Sequence, residues 1–222
     1  MPSQATFLLT IYSFLATMFS VRFLPLIFLL LASILIQPRS FAGDNRALFI
    51  ANCSSCHGKG GEGGKGPALR KEGLLRTVSH EYFTRTMTFG RPLLGCPSFR
   101  DRLSSDEMSG IAAHIKSWQE GEEIVAPAHE VKPSYTERGE RHFMLCGGCH
   151  GTEGEGAMSP PLLDPGLLSS ISDPEIRAVI MWGRPGTPMK GYLKGMGGLA
   201  ALSPEEIDEL ISYIRYRQNK LK

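Results

Sequence analysis

Apolar residues recur at three-and-four spacing in two stretches of the chain, and each stretch opens on a serine. Met108, Ile111, Ala112, Ile115 and Trp118 make one stripe, and Ile207, Leu210, Ile211 and Ile214 make the other. Ser104 with Glu107, and Ser203 with Glu206, have capping-box spacing, and Pro204 stands at the favoured first helical position. The pattern therefore predicts a helix beginning at each serine, with its stripe buried as packing. Shorter helices are expected before Cys53, before Cys146 and before the two Gly-Arg-Pro segments. The glycine-rich stretches Gly58 to Gly66 and Gly151 to Gly156 carry the period of neither helix nor strand.

The N-terminal stretch has a different pattern. Between Phe7 and Ile36 the only charged residue is Arg22, and Phe23 to Ile36 is almost unbroken Leu, Ile, Phe and Ala. A basic residue, an apolar run and then Ser40-Phe41-Ala42 have the layout of a secretory signal peptide, which predicts cleavage after Ala42 and a protein exported to the periplasm or an equivalent compartment. The residues before Met18 are apolar and uncharged, so either Met1 or Met18 fits as the start. An uncleaved segment would instead anchor the protein, since the apolar run is long enough to cross a bilayer of roughly 30 Å.

Sliding the chain along itself by 93 residues superimposes Cys53-Ser54-Ser55-Cys56-His57-Gly58 on Cys146-Gly147-Gly148-Cys149-His150-Gly151. Residues 53–70 and 146–163 share nine identities in 18 positions, among them Gly61, Glu62, Gly63, Pro67 and Leu69 against Gly154, Glu155, Gly156, Pro160 and Leu162. Gly90-Arg91-Pro92 falls on Gly183-Arg184-Pro185 without a gap. Thereafter the second copy is six residues longer, with Leu103-Ser104 matching Leu202-Ser203. The chain thus reads as a signal peptide (1–42), a first domain (43–121), a linker (122–133) rich in proline and charge, and a second domain (134–222). Each copy, at about 80 to 90 residues, is marginal for a conventional hydrophobic core. Another group should fill its centre.

Composition sharpens this reading by exclusion. At 222 residues, 42% hydrophobic and 21% charged, the chain is neither disordered nor fibrous. The formal charge is +2, and removing Arg22 and Arg39 with the signal peptide leaves 22 basic against 22 acidic side chains, so a nucleic-acid partner is not expected. Five cysteines, four of them in CxxC pairs, do not make a disulfide scaffold.

A CxxC followed at once by His is the attachment signature of a c-type haem, in which two thiols bond to the porphyrin and the imidazole ligates iron. Cys53, Cys56, His57, Cys146, Cys149 and His150 supply it twice. A zinc site would need two further ligands at matching spacing in each repeat, and these are absent from the sequence. With these motifs, Phe49 ahead of the first, the glycine-rich and proline-containing segment after each, and the terminal helices, the chain resembles the class I cytochromes c in their diheme form. The resemblance implies an all-α fold of two tandem cytochrome c-like domains, each wrapped around a covalently attached haem. It also implies single-electron transfer between redox partner proteins, a donor and an acceptor.

Class I domains usually take their second iron ligand from a methionine in the loop before the last helix, and Met189, 39 residues after His150, stands there. Met196 and Lys190 are the alternatives. The same count from His57 reaches Cys96, the fifth cysteine. Cys96 as a ligand competes with a buried, inert thiol and with Met87, Met108 or His80 as ligand. Thiolate ligation would place the first haem below the second in potential. His/Cys ligation also occurs in thiosulfate dehydrogenase-type cytochromes, so a diheme oxidoreductase acting on thiosulfate or a related sulfur anion at Cys96 is the alternative to a relay. Arg91, Arg100 and Arg102 are the nearby candidates for holding such an anion. Arg91 and Arg184 could otherwise pair with haem propionates. His80, His114, His129 and His142 have no counterpart in the other copy and are expected to be packing or surface residues.

Overall fold

The computed structural model describes residues 44–194 and 201–221, which belong to one compact unit running from Ala42 to Lys222. The expected signal peptide lies outside the described residues, as does Met196. Among the described residues no helix is long and apolar enough to cross a membrane, and there are no β-strands beyond three isolated bridges. Among the described residues nine α-helices carry the fold. In the first copy they are α1 (Asn45–Asn52), α2 (Ser54–His57), α3 (Glu72–Leu75), α4 (His80–Phe89) and α5 (Ser105–Lys116). In the second they are α6 (Glu137–His150), α7 (Pro165–Ser170), α8 (Asp173–Trp182) and α9 (Pro204–Lys220).

The capping residues act as the sequence predicts. The Ser104 and Ser203 hydroxyls accept from the Glu107 and Glu206 amides, and each glutamate returns the bond to its serine N–H. Both predicted stripes are buried, except that Trp118 lies just past the end of α5 and is only partly covered. In each copy the first helix packs on the last, α1 on α5 and α6 on α9, while α4 and α8 brace the same terminal helices. An aromatic lies at the centre of each crossing. Phe49 meets the edge of Trp118 with ring centroids 5.1 Å apart, and Phe143 meets Tyr213 at 5.5 Å.

One difference lies ahead of the haem motifs. The helix breaks at Cys53 (φ −120°, ψ −29°), so that α1 and α2 are separate, whereas α6 runs unbroken through Cys146 to His150. The break takes up one residue of register: Phe49 precedes its cysteine by four positions and Phe143 by three.

The two copies pack through equivalent elements. Gly166 on α7 lies against the Gly90 carbonyl of the first copy, and its repeat partner Gly73 on α3 lies against the Pro185 carbonyl of the second. A Cβ at either glycine would overlap those backbone atoms, so the close approach requires glycine at both. Behind each glycine a buried hydroxyl ties down its carbonyl, Thr77 to Gly73 at 2.5 Å and Ser170 to Gly166 at 2.6 Å. Each Gly-Arg-Pro turn therefore rests on the short helix of the other copy, in a pseudo-twofold arrangement.

Residues 122–133, read from sequence as a linker, form no helix but are pinned along their length. Ile124 N–H donates to the Arg76 carbonyl (2.6 Å), Ala126 is buried, His129 meets Asp208 at 2.8 Å, and Ser212 Oγ donates to the Lys132 carbonyl (2.6 Å). This segment is a strap running from the first copy to α9.

Candidate haem-binding sites

The identities between the copies correspond to hydrogen bonds. After each CxxCH the chain turns on glycines at positive φ, and the same ladder recurs: Gly63 to the His57 carbonyl (2.8 Å) and Gly156 to His150 (2.7 Å), then Leu69 to Gly61 and Leu162 to Gly154 (both 2.9 Å). The repeated glutamates fold back to cap the turn. Glu62 accepts from the Gly60 N–H (2.7 Å) and Glu155 from the Glu153 N–H (2.9 Å).

The two prolines complete the loop by orienting the histidines. His57 Nδ1 lies 2.8 Å from the Pro67 carbonyl and His150 Nδ1 2.7 Å from the Pro160 carbonyl. A carbonyl only accepts, so each Nδ1 carries the proton and Nε2 keeps its lone pair free for a metal. In the first copy the Gly66 backbone passes directly against the imidazole, where a Cβ would come within 2.8 Å of Cε1.

No two of the five cysteines are joined in a disulfide. Burial pushes Cys53 up to about 11, with the nearby Cys96 and Cys56 sulfurs adding to the effect, and burial likewise pushes Cys146 up to about 11. Cys96 thus shares the electrostatic neighbourhood of the first CxxCH, although it is separated from it by some forty residues of chain.

Cys96 and Met189 occupy the same place in the backbone. After Gly90 and Gly183, both at φ +71°, the chain makes a turn that returns on itself: Arg91 N–H donates to the Cys96 carbonyl (2.8 Å) and Arg184 N–H to the Met189 carbonyl (2.9 Å). The interiors of the turns differ. In the first, Cys96 N–H returns a bond to the Arg91 carbonyl (3.1 Å); in the second, the Met189 amide is capped by Thr187 Oγ1 (3.2 Å). Lys190, the alternative beside Met189, is exposed, while Met87 and Met108 are buried core residues.

Arg91, Arg100 and Arg102 each meet a protein group. Arg91 donates through Nε to Asp164 Oδ1 (3.2 Å) and through Nη1 to the Tyr82 hydroxyl (3.2 Å); Arg100 stands 5.9 Å from the Phe89 ring centroid and Arg102 4.5 Å from that of Phe99. The histidines without a repeat partner have packing or surface contacts: His80 against the Ser109 carbonyl (3.0 Å), His114 against the rings of both Phe49 and Trp118, His129 on Asp208, and His142 3.7 Å from Glu206.

Two residues near the sites have no motif to announce them. Tyr192, the repeat partner of buried Phe99, stands within electrostatic range of Cys146 and Cys149 and donates to the Leu145 carbonyl (3.4 Å). Asp164, wholly buried, sits against the turn of the other copy. A Phe-to-Tyr and a Lys-to-Asp difference across the repeat were the available signals.

Residues 42–115 match the family profile described as cytochrome c oxidase, cbb3-type, subunit III, and residues 136–218 match the one described as cytochrome c. The chain is two cytochrome c domains in tandem. Its two domains carry two covalently bound c-type haems, and the histidine tautomers, paired cysteines and repeated glycine-rich loops fit that group. Among curated relatives, the chain is similar to the cbb3-type cytochrome c oxidase subunit CcoP of Rubrivivax gelatinosus, 30% identical over 54% of this chain and 37% of that one. It is also similar to subunit CcoP of Helicobacter pylori, 25% identical over 64% of this chain and 47% of that one, and to cytochrome c55X of Pseudomonas aeruginosa, 40% identical over 28% and 51%. The tandem cytochrome therefore spans less than half the length of the CcoP subunits it matches. A chain of the reducing HAO-like protein complex of Kuenenia stuttgartiensis has the same fold, with a TM-score of 0.50, 20% identity, and coverage of 79% of this chain and 96% of that one.

Proposed function

We propose that this diheme cytochrome is exported and relays single electrons between a donor and an acceptor protein, entering at a low-potential haem and leaving by a higher-potential one. Cys53 and Cys56 attach the first haem and His57 and Cys96 ligate its iron; Cys146, Cys149, His150 and Met189 do the same for the second. Bound in these sites, each haem supplies a one-electron ferric/ferrous couple. A thiolate donates charge and favours the ferric state, whereas His/Met ligation raises the potential. The protein's own contribution is to hold each imidazole by its Nδ1–H and to set the two distal turns.

The observation that carries this reading is the equivalence of Cys96 and Met189, the same turn offering sulfur of different character in each copy. Both copies carry exposed apolar side chains, Phe89, Leu93 and Leu94 beside the Cys96 turn and Met144, Leu145 and Met158 (83% exposed) around the second motif, which suits docking of a redox partner at each. Domain limits of 43–121 and 134–222, with the strap between them, follow from the repeat.

A spectroelectrochemical titration tests the proposal. Two separated one-electron steps are expected, and Cys96→Met should raise the lower one by a few tenths of a volt, a fraction of the ~0.8 V that axial ligands span. A lower step unmoved by Cys96→Met would remove the thiolate from the account.

A further inference from the structure

The pseudo-twofold packing of the copies is broken at Glu175, which takes the Ser79 N–H of the first copy (2.7 Å) and whose repeat partner is Tyr82, and again at Asp164. Asp164 precedes α7, and its repeat partner ahead of α3 is the exposed Lys71. Asp164 is 0% exposed, and its carboxylate is fully engaged: Oδ1 accepts from Leu167 N–H (2.7 Å) and from Arg91 Nε–H (3.2 Å), and Oδ2 accepts from Leu93 N–H (3.1 Å). The first bond caps its own helix. The other two cross the domain boundary into the turn that carries Cys96.

Arg91 opens that turn, exchanges both backbone hydrogen bonds with Cys96, and has only 11% of its side chain exposed. Leu93 lies midway between them. One carboxylate of the second domain thus holds the first domain's distal turn at its start and its middle. The Arg184 side chain, by contrast, forms no direct ion pair among the described residues, although the Glu175 carboxylate acts on its charge from further off. Burial lowers the Arg184 pKa, and the neighbouring Arg91 charge contributes in the same direction.

We infer that Asp164 is a positioning residue through which the second domain fixes the distal turn of the first haem and neutralises the Arg91 charge beside it. The two domains are consequently not independent electron carriers: the potential of the first haem depends on a side chain of the second. Both Arg91 and Asp164 lie within electrostatic range of the Cys96 sulfur, and in this low-dielectric interface removal of either leaves the other uncompensated. The inference rests on the reading that this turn supplies the first haem's distal side.

The test is a redox titration of the full, haem-loaded chain at pH 8 carrying Asp164→Asn or Arg91→Gln. Asp164→Asn leaves Arg91 unpaired beside the first haem and is expected to raise its potential. Arg91→Gln leaves the carboxylate unpaired and is expected to lower it. The second haem should move less than the first in both variants. A merely structural disturbance would not give shifts of opposite sign, so shifts in the same direction, or none, would overturn the inference. Should Asp164→Asn fail to fold, Arg91→Gln decides alone, a lowered first potential upholding the inference and an unchanged or raised one overturning it. Cys96→Ser separates the two ideas. An optical and EPR spectrum of the first haem unaltered by that change defeats thiolate ligation, whereas the opposite-signed shifts depend only on charge beside the turn.

Discussion

The first and second domains share a backbone ladder nearly bond for bond and differ in the side chains placed on it. Both orient the histidine through a proline carbonyl, both close the distal turn with an arginine N–H, and both press a glycine of one short helix against the turn of the other copy. On this common frame the first domain sets Cys96, Lys71 and Lys65 where the second sets Met189, Asp164 and Met158. Hydrogen bonds and close backbone contacts preserve the geometry, so the chemistry of each site can change by substitution of single side chains. Under the proposed ligation, two such frames pressed together hold haems of different potential within one chain.

The larger stability effect is expected at the interface glycines. Gly166→Ala places a Cβ into the Gly90 carbonyl and Gly73→Ala places one into the Pro185 carbonyl, each costing about 1–3 kcal/mol through overpacking. Denaturant unfolding should show comparable losses for the two, as the pseudo-twofold packing requires. A loss confined to Gly166→Ala would mean that the packing, and not only the Asp164 clamp, is one-sided. A smaller effect is expected at the terminal helices. Ser104→Ala and Ser203→Ala each remove one capping box, at about 1 kcal/mol. Thermal unfolding monitored at the haem absorbance should register both, and unequal losses would locate a further difference between the domains.

Much of this was legible in the sequence because it is local. A capping serine, a buried stripe and a CxxCH are each local patterns, and counting along the repeat aligned the Cys96 turn with the Met189 turn. The Asp164 clamp was hidden because its partners Leu93 and Arg91 are 71 and 73 residues away, and Asp164-Pro165-Gly166 reads locally as a turn. The strap was hidden for a related reason. Its hydrogen bonds go to Arg76, Asp208 and Ser212 in other elements, so an extended segment pinned at several points carries no period of its own. The break at Cys53 leaves little trace in the repeat, since the 93-residue offset holds after the motif and slips by one residue only ahead of it.

Low-temperature EPR of the oxidised protein tests the central claim most directly, because it reads the ligands of both irons in one spectrum. The account predicts two low-spin ferric signals of equal weight, one with the narrow g-spread of thiolate ligation and one of the His/Met kind. Two signals of the His/Met kind, or a high-spin first haem, would contradict it.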